Sequence, residues 1–244
     1  MDKSGNPALK RSALDRVREL ESAQTATVGG TIGKIIILAL LVAVGAAAGW
    51  TMAASSQASA LWVLLGSAVV ATIFALITIF VPKASPFTAP VYAAAEGAVL
   101  GAISYWANTA YEGIALQALV LTGAVFASVL VLYTTGIVRV TQKLRAVIII
   151  ATMAVALYYV INLVVMLFGG SLPLIYDSGT FGIIFSVIVV FIAAMNLLLD
   201  FDFIEKTAQS GAPKVFEWYG AFGLIVTLVW LYIEILRLLS KLKS

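Results

Sequence analysis

Three stretches of this sequence place acidic side chains in or beside long apolar runs, where an acid is the natural starting point for ion or proton chemistry. A charge at the centre of a bilayer costs at least about 3 kcal/mol, so an acid there is used, paired or protonated. Asp200 and Asp202 lie in a run from Asn196 to Glu205. Two residues apart on a helix, they point roughly 200° apart, so they are not a ready-made chelating pair. One can face a helix bundle while the other meets water. The plainer alternative is an acidic helix end with Lys206 and Lys214 as counter-charges, although negative charge at a helix C-terminus is itself unfavourable.

Glu96 sits near the middle of another apolar stretch and is followed by Gly97 and Gly101. That small-xxx-small spacing lets helices approach closely. Glu96 is therefore expected to face protein or a wet cavity, with an interhelical hydrogen bond as the structural alternative. In the last stretch Gly220, Gly223, Thr227 and Glu234 return to one helical face, and Arg237 follows Glu234 by three, within pairing reach. A small and polar stripe through a Leu/Ile/Val helix predicts that this helix is central. Its alternative reading is close packing with an ion-pair anchor near the membrane surface.

Other chemistry is excluded. The chain has no cysteine and no histidine, so disulfides, thiolate nucleophiles, Cys/His metal sites and imidazole catalysis are absent. No phosphate-cradling glycine loop is present. Leu174, Ile175, Tyr176 and Asp177 match half of an intramembrane aspartyl protease signature, but the Gly-x-Gly-Asp half is missing. No enzymatic activity, cofactor or resident metal is expected. Tyr158, Tyr159, Trp106 and Trp218 read as interfacial or packing aromatics.

The elements that must position these residues are membrane helices. Of 244 residues, 62% are hydrophobic and 11% charged, against roughly 45–50% and about 25% in ordinary globular domains. Lipid must be the solvent for that much apolar surface. Seven segments approach the roughly 20 residues a bilayer core requires, at about 33–53, 60–81, 86–107, 113–136, 145–168, 180–199 and 216–239. The third is the weakest, since it carries Pro86, Pro90 and Glu96. The expectation is an all-α, polytopic helix bundle of about seven transmembrane helices with the last one central. It comprises a polar tail at 1–32 and a transmembrane domain at 33–244. Leu9, Ala13, Val17 and Leu20, with Lys10, Arg11, Arg16 and Arg18 between them, predict a short amphipathic helix in that tail; a solvated tail is the alternative. Ala58, Ser59 and Ala60 fit a small-residue cleavage pattern, yet the first apolar run is long for a signal peptide and reads as retained.

Basic residues set the orientation. Lys3, Lys10, Arg11, Arg16, Arg18 and Lys34 precede or open the first span. With that end cytoplasmic, Lys83, Arg139, Lys143, Arg145, Lys206 and Lys214 fall on the same side. The opposite loops carry Glu112 and Asp177 instead, which fits a multi-pass protein of the plasma (inner) membrane. Lys241 and Lys243 conflict with this pattern: either seven full spans put them outside, or the last segment re-enters. The net charge of +3 points to lipid headgroups, not nucleic acid.

The sixth and seventh segments resemble the Bax-inhibitor-motif membrane proteins (the TMBIM family), in the bacterial YccA/YetJ-like branch. Leu199, Asp200, Phe201, Asp202, Phe203 and Ile204 carry the resemblance, with the closing stretch from Leu231 through Glu234 and Arg237 to Leu239. Asn6, Pro7, Ala8 and Leu9, and Glu217, Trp218 and Tyr219, are similar to a subgroup with a longer N-terminal tail. The resemblance implies a bundle wrapped around the last helix and a calcium leak gated by pH through two aspartates. Asp200 matches the first of these, and Asp202 stands at a position often polar. The second aspartate falls at Thr227, counting back from the closing motif, so the pair is incomplete. Glu234 or Glu96 could supply a substitute carboxylate.

The first expectation is thus a pH-sensitive cation leak with Asp200 as its key acid, passing calcium ions and sensing protons. Two acids held close share a proton, so protons would compete with cations there. The second is regulation of another membrane protein by helix packing and the cytoplasmic tail, with a membrane-bound protease as the partner the resemblance implies. A proton-coupled transporter comes third, because paired broken helices are not evident.

Overall fold

The computed structural model describes residues 25–170, 172–175 and 177–244. The predicted amphipathic helix near residues 9–20 lies outside them. Among the described residues seven helices follow one another: α1 (Val28–Ser55), α2 (Gln57–Phe80), α3 (Ser85–Ala110), α4 (Ile114–Thr134), α5 (Gln142–Leu167), α6 (Thr180–Gln209) and α7 (Val215–Lys243). One 3₁₀ turn, Pro82–Ala84, leads into α3. All seven are long and apolar enough to cross a membrane. The chain is an all-α, multi-span membrane protein.

The first span begins at Val28, ahead of the boundary expected at residue 33, because Thr27 caps it. The Thr27 hydroxyl accepts from the Gly30 N–H at 2.9 Å, which satisfies one of the donors a helix start leaves free. Ser56 and Thr141 cap α2 and α5 in the same way. Large apolar residues such as Trp62, Phe87 and Phe168 are exposed around the outside, as a lipid-facing surface requires.

The span with the weakest mean hydropathy, 1.2 over Pro82–Ala110, is also the most buried. Its small and polar residues face neighbouring helices instead of lipid. The contact with α1 runs backbone against backbone. A Cβ added to Gly45 or Gly49 would lie 2.2 or 2.1 Å from the carbonyl oxygens of Ala94 or Ala98. A Cβ added to Gly97 or Gly101 would lie 2.3 or 2.0 Å from those of Val42 or Ala46. Two Gly-xxx-Gly faces thus clasp reciprocally. The α7 helix packs against α1, α3, α4 and α6, the central place expected for it.

Alternation of direction puts the start of α1, the α2–α3, α4–α5 and α6–α7 connections and the start of α7 on one face, called here the basic face. Ala26 N–H donates to Ala212 O at 2.7 Å across it. The last helix runs unbroken to Lys243, so the C-terminus reaches the opposite face. Re-entry, one of the two ways to place the basic tail, does not occur.

Candidate functional site

On the basic-face half of the bundle, a cavity of about 480 Å³ is lined by residues of α2, α3, α5, α6 and α7. Asp200, Tyr92 and Arg145 supply its polar walls, and Gly220 and Gly223 leave α7 without side chains there. A Cβ on Gly223 would come within 3.8 Å of the Asp200 carboxylate. One turn further along α7, the buried Thr227 hydroxyl faces the same carboxylate. The Asp200 Oδ2 atom has no hydrogen-bond partner among the described residues.

Asp202 has the opposite surroundings. It is buried and accepts from Arg145 of α5 and, at 2.8 Å, from Lys206 one turn ahead. The two aspartates do diverge, as their spacing requires. Asp200 turns to α7 and the cavity; Asp202 is neutralised by two cations at the rim.

Neither candidate substitute carboxylate is brought to Asp200. Glu234 is fully buried and engaged, with Arg237 at 2.8 Å, the Tyr159 hydroxyl at 2.8 Å and the Trp230 indole N–H at 3.2 Å. It lies seven residues beyond Thr227, about 10 Å along the helix, toward the far face. Arg237 also donates to the Tyr159 hydroxyl at 2.6 Å and lies over its ring. Glu96 is half-buried, one turn after Tyr92. It is not part of the cavity wall.

Sequence reasoning missed several polar contacts. Tyr159 is no simple interfacial aromatic, since it bridges α5 to the Glu234–Arg237 pair. Asn196 donates to the Thr152 hydroxyl at 2.8 Å. Glu217, fully buried, accepts from the Thr27 N–H and hydroxyl, both at 3.0 Å, and faces Lys34 at 3.6 Å. Lys241 donates to the Leu174 and Gly182 carbonyls at 2.5 and 2.9 Å. The seven-residue spacing of Arg145, Thr152 and Tyr159 was the available signal for the α5 contacts.

Among the described residues, no group of three or more acidic residues is arranged to hold a metal ion. The arrangement offers one carboxylate, a hydroxyl beside it and a cavity large enough for several waters, at about 30 Å³ each. A lone carboxylate in such a site has the chemistry to exchange a proton with water in the cavity.

A family model described as Bax inhibitor 1 like matches residues 6–244. Comparison with curated proteins and with solved structures gives no match.

Proposed function

The chain belongs to the Bax inhibitor 1 like family, and from that premise we propose that it is a pH-sensitive cation leak, passing calcium ions across the plasma membrane without enzymatic activity. The observation that carries this reading is Asp200, whose carboxylate lines the cavity with one oxygen unpartnered. A buried carboxylate without a cation beside it is costly, so its retention calls for a use. When charged it offers a site to a cation; when protonated it offers none. Thr227 replaces the second aspartate of the family pattern and supplies one hydroxyl in its place.

The test is calcium-dye influx into proteoliposomes between about pH 6 and 8, the range where a perturbed carboxylate titrates. Asp200→Asn keeps shape while fixing the charge at zero, and its flux should lose the pH dependence of the wild type. Equal dependence in both proteins would sink the gating idea.

A second reading, regulation of a membrane-bound protease or another membrane protein, is favoured by a separate groove. About 710 Å³ lies between α1 and α4 over α3 and α7, lined by Ala39, Ala43 and the open Gly123 among larger side chains such as Trp50, Leu119 and Tyr232. Small residues admit a foreign helix closely. Absence of flux from well-folded wild type would favour this alternative.

A further inference from the structure

The fifth helix is held differently from the others. Like α4 it buries only three residues, Ile148, Val155 and Asn162, but its close backbone packing is with α6, whereas α4 packs against α3, α6 and α7. In lipid, apolar faces gain little by meeting each other, so polar contacts and close packing decide what stays together. On α5 the polar contacts form a ladder with seven-residue spacing. Arg145 meets Asp202 near the basic face, Thr152 meets Asn196 at mid-depth, and Tyr159 meets Glu234 and Arg237 toward the far face. The register extends to α7, which runs parallel to α5. The Tyr159–Glu234 contact sets an offset that puts Thr152 level with Thr227 and Arg145 level with Gly220. The second pairing is visible directly, since Arg145 and Gly220 share the 480 Å³ cavity. Asp200 lies one turn from Asn196 on α6.

These side chains therefore mark a polar line from one face of the bilayer to the other, along the seam between α5 and the α6–α7 pair. Its basic-face half is already a cavity; its far half is closed by the Tyr159–Glu234–Arg237 cluster and by Lys241 on the Leu174 and Gly182 carbonyls. We infer that this seam is the route by which cations cross, and that α5 separates from α6 and α7 at the Thr152–Asn196 and Tyr159–Glu234 contacts to open it. The inference rests on the leak reading for the identity of the cargo. The seam's contact with water can be tested without it.

The lack of native cysteine makes the test direct. Introduce Thr152→Cys, Asn196→Cys and Ile149→Cys singly, with Val160→Cys on the exposed face of α5 as the lipid control. Treat the purified proteins in liposomes with a small, charged, thiol-specific reagent. Only the thiolate reacts, and it forms only where water reaches, so the seam positions should react at least about tenfold faster than Val160→Cys. Ile149→Cys, partly open to the outside but on the cavity wall, leaves every polar contact intact and guards against a misfolded variant. In the double variant Thr152→Cys with Asn196→Cys, a short bifunctional thiol reagent should abolish calcium flux. Seam cysteines no more reactive than the lipid control, or undiminished flux after cross-linking, would overturn the route. Reactive seam cysteines in the variants, with no calcium passed by the wild type, would leave the seam water-lined and refute the leak reading instead.

Discussion

Asp200 and Asp202 differ in what each would lose on becoming an amide. Asp202 holds Arg145 and Lys206, so Asp202→Asn leaves two cations without their carboxylate. Both cations are substantially exposed, with side chains 45% and 58% accessible, which reduces the loss to about 1–2 kcal/mol. Asp200→Asn strands no cation and removes an unpartnered buried charge, so stability should hold or rise. Detergent-solubilised melting curves should show a lower midpoint for Asp202→Asn and none for Asp200→Asn; equal losses would show that both aspartates are structural. The sequence did expose the divergence of these two residues, because helical geometry alone demands it. It could not show which aspartate meets cations, since Arg145 lies 57 residues away along the chain. Glu96 was legible as an acid deep in a span but not as a half-buried neighbour of Tyr92. Glu96→Gln should melt closer to wild type than Glu96→Leu if the carboxylate serves water or protein, and a more stable Leu variant would place it against lipid.

At the scale of elements, the bundle has a fixed part and a lightly held one. The fixed part is the α1–α3 clasp, where four glycines bring carbonyls to distances no side chain could share. Gly101→Ala should lower the melting midpoint, by about 1–3 kcal/mol of overpacking, because the new Cβ would sit 2.0 Å from the Ala46 carbonyl oxygen. Gly66→Ala, on α2 with nothing within 4 Å, should instead gain about 0.5–1 kcal/mol from reduced chain entropy. Similar shifts at both sites, measured in the same thermal melt, would mean the helices do not approach as described. Half of this clasp was readable as Gly97 and Gly101. The other half, Gly45 and Gly49, has the same spacing in the first span, but spacing alone does not say which helices meet. The low hydropathy of α3 was readable too, though only as weakness. Burial among other helices is what permits it, and burial is a property of the assembled bundle.

For the molecule as a whole, seven complete spans force the two ends of the helical domain onto opposite faces. The basic loops gather on one face, and the bias of Lys and Arg leads us to propose that this face is cytoplasmic. The apparent conflict at Lys241 has a local resolution. Its ammonium group binds the Leu174 and Gly182 carbonyls, fastening the end of α7 to the α5–α6 connection and the first turn of α6, so it serves as an anchor and not as a topology signal. Count and charge bias were both open to sequence reading. This anchor was not, because its partners are backbone carbonyls without a side-chain signature. Single cysteines at Gln142, Glu112 and Ser244, all exposed, separate the possibilities in intact cells treated with a membrane-impermeant thiol reagent. Glu112→Cys and Ser244→Cys should react, whereas Gln142→Cys should react only after permeabilisation. Labelling of Gln142→Cys alone would invert the orientation while keeping seven spans. Labelling of Glu112→Cys without Ser244→Cys would instead require the last helix to turn back before the far face, contrary to its unbroken run and to the Lys241 anchor.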